Sequence, residues 1–297
     1  MYLKKFVCFI SLFVCVACET KKDNQYFLEV SDVFIKFPID EDTKLPQLSI
    51  FPFEEAGVEY MSFQNDRKPE IQIYNVRTGK LVKKLSYDVQ GEQGVVGGFM
   101  GYCIKDFSYI YLPSYYTQTL YVVDTLGRIN QKITFDKTTR GKKLVPITLA
   151  SSKQLVISGD SLIMPQTVNP IGRNKIMEES PISILIDTKR RIVKDLPMKY
   201  LPLVSEKEFG TAAFMAGVSY SKCFDERGFV YAFAYSDNVH KVSLDHAEII
   251  AVEAKSKYDK GVKVPRSVSD EFQKMIKEQC EYASYGGIIY DKYRRVY

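Results

Sequence analysis

Two histidines, six cysteines, two pairs of adjacent glutamates and one cluster of glycines are the residues of this chain whose types and spacing could do chemistry. His240 and His246 fall in a single stretch, NVHKVSLDHAE, and share a strand face only if that strand runs unbroken through LDHAE, which reads as a turn. A histidine metal site or a Ser-His-Asp triad would have to be built from these two alone, so both are expected to be structural or surface residues. Cys103, Cys223 and Cys280 are far apart and none has the C-x-x-C spacing of a zinc or redox site, so they read as buried thiols. Glu54, Glu55, Glu178 and Glu179 could act as general acids or bases, yet adjacent acids in polar loops are ordinarily solvated. Gly91, Gly94, Gly97, Gly98 and Gly101 could cradle a phosphate only with a Gly-Lys-Ser/Thr ending or a following helix. The residues that follow, FMGYCIKDFSYIYLPSY, are strand-like, so the glycines are expected to serve backbone turns. No catalytic residue, metal ligand or cofactor-binding residue is assigned, and no cofactor is expected.

The remaining reactive residue is Cys18, in MYLKKFVCFISLFVCVACET. Lys4 and Lys5 precede an apolar run from Phe6 to Ala17, which is shorter than the roughly 20 apolar residues that span a bilayer. CVAC, with Ala17 directly before Cys18, resembles the lipobox of bacterial lipoproteins, in which the thiol is diacylated, the chain is cut before the cysteine and the new amine is acylated. Several acyl chains on one residue anchor a protein stably where one does not. The expected organisation is a signal peptide over 1–17, a linker over 18–26 and a folded domain over 27–297. The membrane is then a partner through Cys18, and the expected location is the cell envelope, at the outer membrane.

The formal charge of the whole chain is +5, and loss of Lys4 and Lys5 brings it to +3. The basic clusters TTRGKK and TKRR are single turns between strand-like segments. Phosphate backbones require several cations on one continuous face, so nucleic acid is excluded as a partner.

From residue 27 onward the chain consists of short β-type segments separated by turn signals. Four hairpins recur: IQIYNVRTGKLVKKLSY, TLYVVDTLGRINQKITF, SILIDTKRRIVKDLPM and VHKVSLDHAEIIAVEA. In each, β-branched or aromatic residues lead to Asn75, Asp124, Asp187 or Asp245, then a polar turn, then an alternating strand. Upstream of each lies another strand: VEYMSFQ, SYIYLPSY, DSLIMPQT and GFVYAFAY, the last preceded by SYSKCF. Four strands per copy with variable loops is the pattern of a β-propeller blade. VNPIGRNKIMEES and MKYLPLVSEKEFG are rim-loop insertions, and SVSDEFQKMIKEQCEYASYGG is expected to form one short helix capped by Ser269.

The final residues, GGIIYDKYRRVY, align with SYSKCFDERGFVYAF so that Asp291 matches Asp225 and Tyr297 matches Tyr231. This places the start of a fifth blade at the C-terminus, so the domain is expected to be incomplete after about four and a half blades. FLEVSDVFIKFPI is expected to be a strand lent to the last blade. With the lipobox, FPIDEDT, QGEQGVVGGFMGYCIKDFSYIYL and GGIIYDKYRRVY, the chain resembles the Bacteroidetes lipoproteins of domain-of-unknown-function family 4221, related to six-bladed TolB-like propellers. That resemblance implies a six-bladed fold and an envelope location, with no established activity and no catalytic residues.

The expected fold is all-β, a propeller of four-stranded blades. The expected function is a non-catalytic binding or scaffold module for a protein, peptide or glycan, with 21 tyrosines supplying amphipathic surface and no tryptophan for sugar stacking. Two alternatives are a hydrolase or lyase with carboxylates at the propeller mouth and a truncated, non-functional remnant.

Overall fold

The computed structural model describes residues 29, 32–44, 50–65, 67–99, 101–114, 116–141, 149–166, 180–200, 220–234, 236–255 and 286–297. The chain divides into two units, Met1–Ile35 and Lys36–Tyr297. In the first, the described residues 29 and 32–35 are exposed and form neither strand nor helix. All described strands lie in the second unit. The signal peptide, Cys18, the 18–26 linker, the capped helix, Cys280, Glu178 and Glu179 lie outside the described residues.

Sixteen described strands form four antiparallel sheets, each a four-stranded meander. The first blade is β1 (Ile50–Glu55), β2 (Val58–Asn65), β3 (Glu70–Asn75) and β4 (Leu81–Ser86). The second is β5 (Cys103–Asp106), β6 (Tyr109–Ser114), β7 (Thr119–Val123) and β8 (Ile129–Thr134). The third is β9 (Val156–Ser158), β10 (Ser161–Pro165), β11 (Ser183–Asp187) and β12 (Ile192–Asp195). The fourth is β13 (Tyr220–Phe224), β14 (Gly228–Phe233), β15 (Asn238–Ser243) and β16 (Ile249–Glu253). The arrangement is that of a β-propeller, with successive blades packed face to face.

The side-chain alternation of a strand explains why the middle strands are continuous apolar runs. Ile110 and Leu112 on β6 face the first blade, where they join Ile71, Ile73, Leu85 and Tyr102 in one core. Tyr111, between them, faces the third blade and joins Leu120, Val122, Leu162, Met164 and Ile184 in a second core. On β10, Ile163 turns the other way into a third core with Tyr200, Tyr220, Phe229 and Tyr231. Each core is thus a seam between two successive blades. Each large side chain moved from water into such a seam contributes about 1.5–3 kcal/mol.

The four repeat markers occupy the same place in each blade, the turn from the third strand to the fourth. Asn75 Oδ1 accepts from the Thr78 amide at 2.9 Å, and Asp124 Oδ1 accepts from Leu126 and Arg128 at 2.8 and 3.0 Å. Asp187 Oδ1 accepts from Lys189 and Arg190 at 3.1 and 2.8 Å, and Asp245 Oδ1 from Ala247 at 3.1 Å. A short side chain that accepts from amides two to four residues ahead holds the chain in its reversal, which is why only Asn or Asp recurs there.

The expectation that FLEVSDVFIKFPI is a strand of the last blade is not met within the second unit. Residues 36–40 carry no strand and run across the first blade instead. Tyr74 donates to the Pro38 carbonyl at 2.6 Å, the Phe37 ring meets Tyr74 edge-on at 5.3 Å, and Gln72 donates to Thr43 at 2.8 Å. Pro38 has no amide to give to a ladder, so this stretch is held by side chains of β3 rather than by strand pairing.

Residues 286–297 make a turn closed by an isolated bridge between Asp291 and Val296. Asp291 Oδ1 accepts from the Tyr293 and Arg294 amides at 2.9 and 3.0 Å, as Asp225 Oδ1 accepts from Arg227 and Gly228 at 3.1 and 3.0 Å. The turn that opens the fourth blade therefore recurs at the C-terminus, in the alignment read from sequence. Lys292 and Tyr293 reach Glu59 of the first blade, while Ile288 accepts and donates at Ser221 of the fourth.

The glycine cluster lies in the connection between the first and second blades, with Gly91, Gly97, Gly98 and Gly101 at positive φ. Gly101 has φ +76, and a Cβ there would come within 2.6 Å of the Leu149 carbonyl oxygen. The left-handed backbone and the close approach both demand glycine. Gly101→Ala is expected to lower stability by more than about 1 kcal/mol, read as a fall in the urea midpoint with unchanged slope. An unchanged midpoint would show that the connection relaxes freely.

Candidate functional site

The two histidines occupy the third seam and serve structure. His240 lies on β15 with its ring edge-on to Phe233 at 5.6 Å, and burial lowers its pKa. His246, in the turn after β15, has φ +58 and is fully buried. Its Nδ1–H donates to the Leu244 carbonyl at 3.3 Å, which leaves Nε2 to accept from the Tyr231 hydroxyl at 2.8 Å; Tyr231 Oη in turn accepts from Ser183 at 3.0 Å. Desolvation pushes its pKa down to about 4. Among the described residues no group of three or more His, Cys, Asp or Glu side chains could hold a metal ion. Burial pushes the Cys103 thiol up to about 12 and the Cys223 thiol up to about 11, so both are poor nucleophiles at neutral pH.

The glutamate pair on the first blade is engaged as well. Glu54 lies 3.5 Å from the Lys292 ammonium, and Glu55 accepts from the Phe107 amide at 3.3 Å. These carboxylates join the first blade to its neighbours and face no described cavity. Tyr115 lies outside the described residues, and Tyr116 is exposed.

A groove on the fourth blade was not anticipated. Phe229, Tyr231 and Phe233 on β14 fill the third seam, so the alternate residues Val230 and Ala232 face the opposite way. With Val239 and Lys241 on β15 they form one wall, and Ile288, Ile289 and Tyr297 form the other, around a cavity of about 350 Å³. At Val230, Lys241 and Tyr297 the cavity continues into a second of about 300 Å³, lined by Asp225, Arg227, Ser243, Glu248 and Ile250. The first part is apolar with Ser236 and Asp237 at its rim, and the second is charged.

Tyr297 stands where the two parts meet. Its hydroxyl donates to Asp225 Oδ2, and the Lys241 ammonium sits 5.8 Å from its ring centre. Burial alone would raise the Asp225 carboxyl, but hydrogen bonds from Tyr297, Arg227 and Gly228 outweigh it and hold the group below its usual range. Arg227 pairs with the same carboxylate at 3.1 Å. The groove thus offers an apolar slot and fixed charges of both signs. Beside it β16 is exposed along its whole length, including Ile249, Ile250 and Val252. Sequence periodicity marked β14 and β15 as strands. The groove depends on which of their faces the third blade leaves free, and no local signal carries that.

The family profile described as "Domain of unknown function (DUF4221)" matches residues 25–297. A crystal structure of a DUF4221 member from Bacteroides vulgatus shares 26% identity, covering 87% of this chain and 72% of that one, with a TM-score of 0.75. A putative exported protein from Bacteroides fragilis shares 12% identity over 75% of this chain and 55% of that one, at a TM-score of 0.45. Hsv2 from Kluyveromyces lactis shares 13% over 70% of this chain and 51% of that one, at 0.37. No curated protein matches. With a family profile aligned along nearly all of its folded region, this chain belongs to the DUF4221 family.

Proposed function

We propose that this protein is a lipid-anchored envelope propeller that binds an extended peptide segment of a partner protein without transforming it. The observation that supports this reading is the continuous groove of the fourth blade, apolar between Val230, Ala232, Val239 and Ile288 and charged at Asp225, Arg227 and Glu248. An extended chain with apolar side chains followed by charged ones complements it, and β16, which among the described strands pairs with β15 alone, is an exposed edge beside it. A glycan fits less well, because the apolar part of the groove carries a single aromatic side chain, Tyr297, and the chain has no tryptophan. The hydrolase or lyase reading gains nothing from Glu54 and Glu55, whose oxygens hold Lys292 and the Phe107 amide.

Three finer readings belong to the same proposal. The ring is of the six-bladed type, a reading that rests on the family resemblance, while the recurrence of the Asp225 turn at Asp291 supports one blade beyond the four described. The short helix expected over SVSDEFQKMIKEQCEYASYGG rests on the caps and apolar stripe of its sequence alone. Cys18 carries the lipid that attaches the protein to the outer membrane, on the strength of CVAC.

Panning a displayed peptide library on the purified protein is expected to enrich apolar-then-charged sequences, and Ala232→Glu is expected to weaken the best of them by about tenfold or more. Failure to enrich, or binding indifferent to Ala232→Glu and Val239→Asp, would remove the groove from consideration. Cys18→Ser is expected to release the protein from membranes and abolish labelling by a palmitate analogue; a variant that still labels and sediments with membranes sinks the anchor.

A further inference from the structure

The third seam differs from the other two in holding basic side chains. Lys222 on β13 stands opposite Tyr231 on β14, and Tyr231 stands opposite His240 on β15. Directly opposed residues of antiparallel strands point to one face, so Lys222, Tyr231 and His240 form a transverse row aimed at the third blade. Lys222 is 4% exposed and His240 8% exposed. Lys222 Nζ and His240 Nδ1 are buried without a hydrogen-bond partner, although the Lys222 backbone amide donates to Ser152 of the third blade at 2.9 Å. The Lys222 ammonium position lies 5.0 Å from the centre of the Phe229 ring, which also meets the tilted His246 ring at 5.0 Å.

We propose that the seam between the third and fourth blades is a proton-sensitive joint, closed while Lys222, His240 and His246 are uncharged and loosened when they take up protons. Among the described residues no carboxylate acts on Lys222 or His240, and Asp245 is the one that acts on His246. From the third blade the seam receives Ser183 of β11, Val156 of β9, Ile163 of β10, Tyr200 beyond β12, whose hydroxyl donates to the Gln166 carbonyl at 2.9 Å, and Lys153 just before β9, the last with its Nζ 4.6 Å from the Tyr220 ring centre. From the fourth blade it receives Tyr220 and Tyr231, both held neutral by burial, and His246, whose neighbour Asp245 is turned outward to the Ser243 hydroxyl. No described carboxylate acts on Lys222; desolvation alone lowers its pKa to about 7. Lys153 is lowered by the same cause, and the Lys222 charge further lowers His246.

The sign follows from proton counts. Between about 7 in the fold and 10.5 in the unfolded chain, Lys222 is protonated only when unfolded, so unfolding takes up a proton and stability rises with pH. Over that window the folding constant grows roughly tenfold per pH unit from this group. His246, lowered from 6.5 to about 4, adds a second loss as pH falls through that range. Both act in one direction: acid opens the joint.

The test is the thermal midpoint of the full chain from pH 5 to 9.5, for the unsubstituted protein and for Lys222→Met. The midpoint is expected to climb between pH 7 and 9.5, and Lys222→Met to flatten that climb and to raise the midpoint at pH 6. Parallel curves for the two would overturn the proposal. If Lys222→Met fails to fold, hydrogen exchange of the unsubstituted chain at pH 6 and 8.5, corrected for intrinsic rates, decides the matter. Protection is expected to fall at pH 6 in β11, β13 and β14 more than in β3, β6 and β7, and an equal fall throughout would overturn the joint. Binding of peptides to the groove enters neither measurement, so failure here leaves the groove standing.

Discussion

A four-stranded sheet has two faces, and in this protein both faces of the interior blades are apolar, so no such blade can stand without a neighbour on each side. Alternation along a single strand sends Ile110 and Leu112 to the first seam and Tyr111 to the second. One strand thereby commits to two cores at once, and a one-residue slip would exchange them. At about 25 cal/mol per Å² of apolar surface buried, the seams supply the main favourable term, while the Asn and Asp turns fix the register that lets the alternation fall correctly. Connecting segments add to the seams as well: Tyr87, Val95, Phe99 and Tyr102, between β4 and β5, complete the first core.

The same constraint decides what could be read from sequence. Strands, hairpins and the markers Asn75, Asp124, Asp187 and Asp245 are local signals, and the turns stand where their spacing put them. The likeness of GGIIYDKYRRVY to the turn around Asp225 is also local, and Asp291 repeats its hydrogen bonds. FLEVSDVFIKFPI misled because alternation reports only that two faces differ, without reporting whether a free sheet edge is available. Pro38 and the side chains of β3 direct residues 36–40 across the first blade instead. The row of Lys222, Tyr231 and His240 was illegible, because it requires the register of three strands at once. Nothing in SYSKCF distinguishes a lysine that faces a seam from one that faces water.

Placing Lys222 in a seam is costly. A buried amine without an acceptor loses its hydration and recovers only ring contact with Phe229. By contrast, the chain Ser183, Tyr231, His246 and the Leu244 carbonyl satisfies every member and fixes the histidine tautomer. That network also accounts for the left-handed backbone at His246, since the turn that sets φ at +58 carries the ring inward beneath Tyr231. The third seam therefore combines a satisfied polar chain with two buried basic side chains, Lys222 and His240, that each keep an unpartnered nitrogen.

Strand alternation gives the two faces of the fourth blade separate tasks. Tyr231 and His240 serve the seam, while Val230, Ala232, Val239 and Lys241, one residue along the same strands, line the groove. Because the two sets share β14 and β15, a shift of this blade against the third moves the groove wall together with the seam. Tyr297 ties the opposite wall to Asp225, in the turn that follows β13, and β13 carries Lys222. Ile288 is tied to Ser221 of the same strand, so both walls of the cleft are anchored to the fourth blade, and the side chains of seam and cleft stand on opposite faces of one backbone.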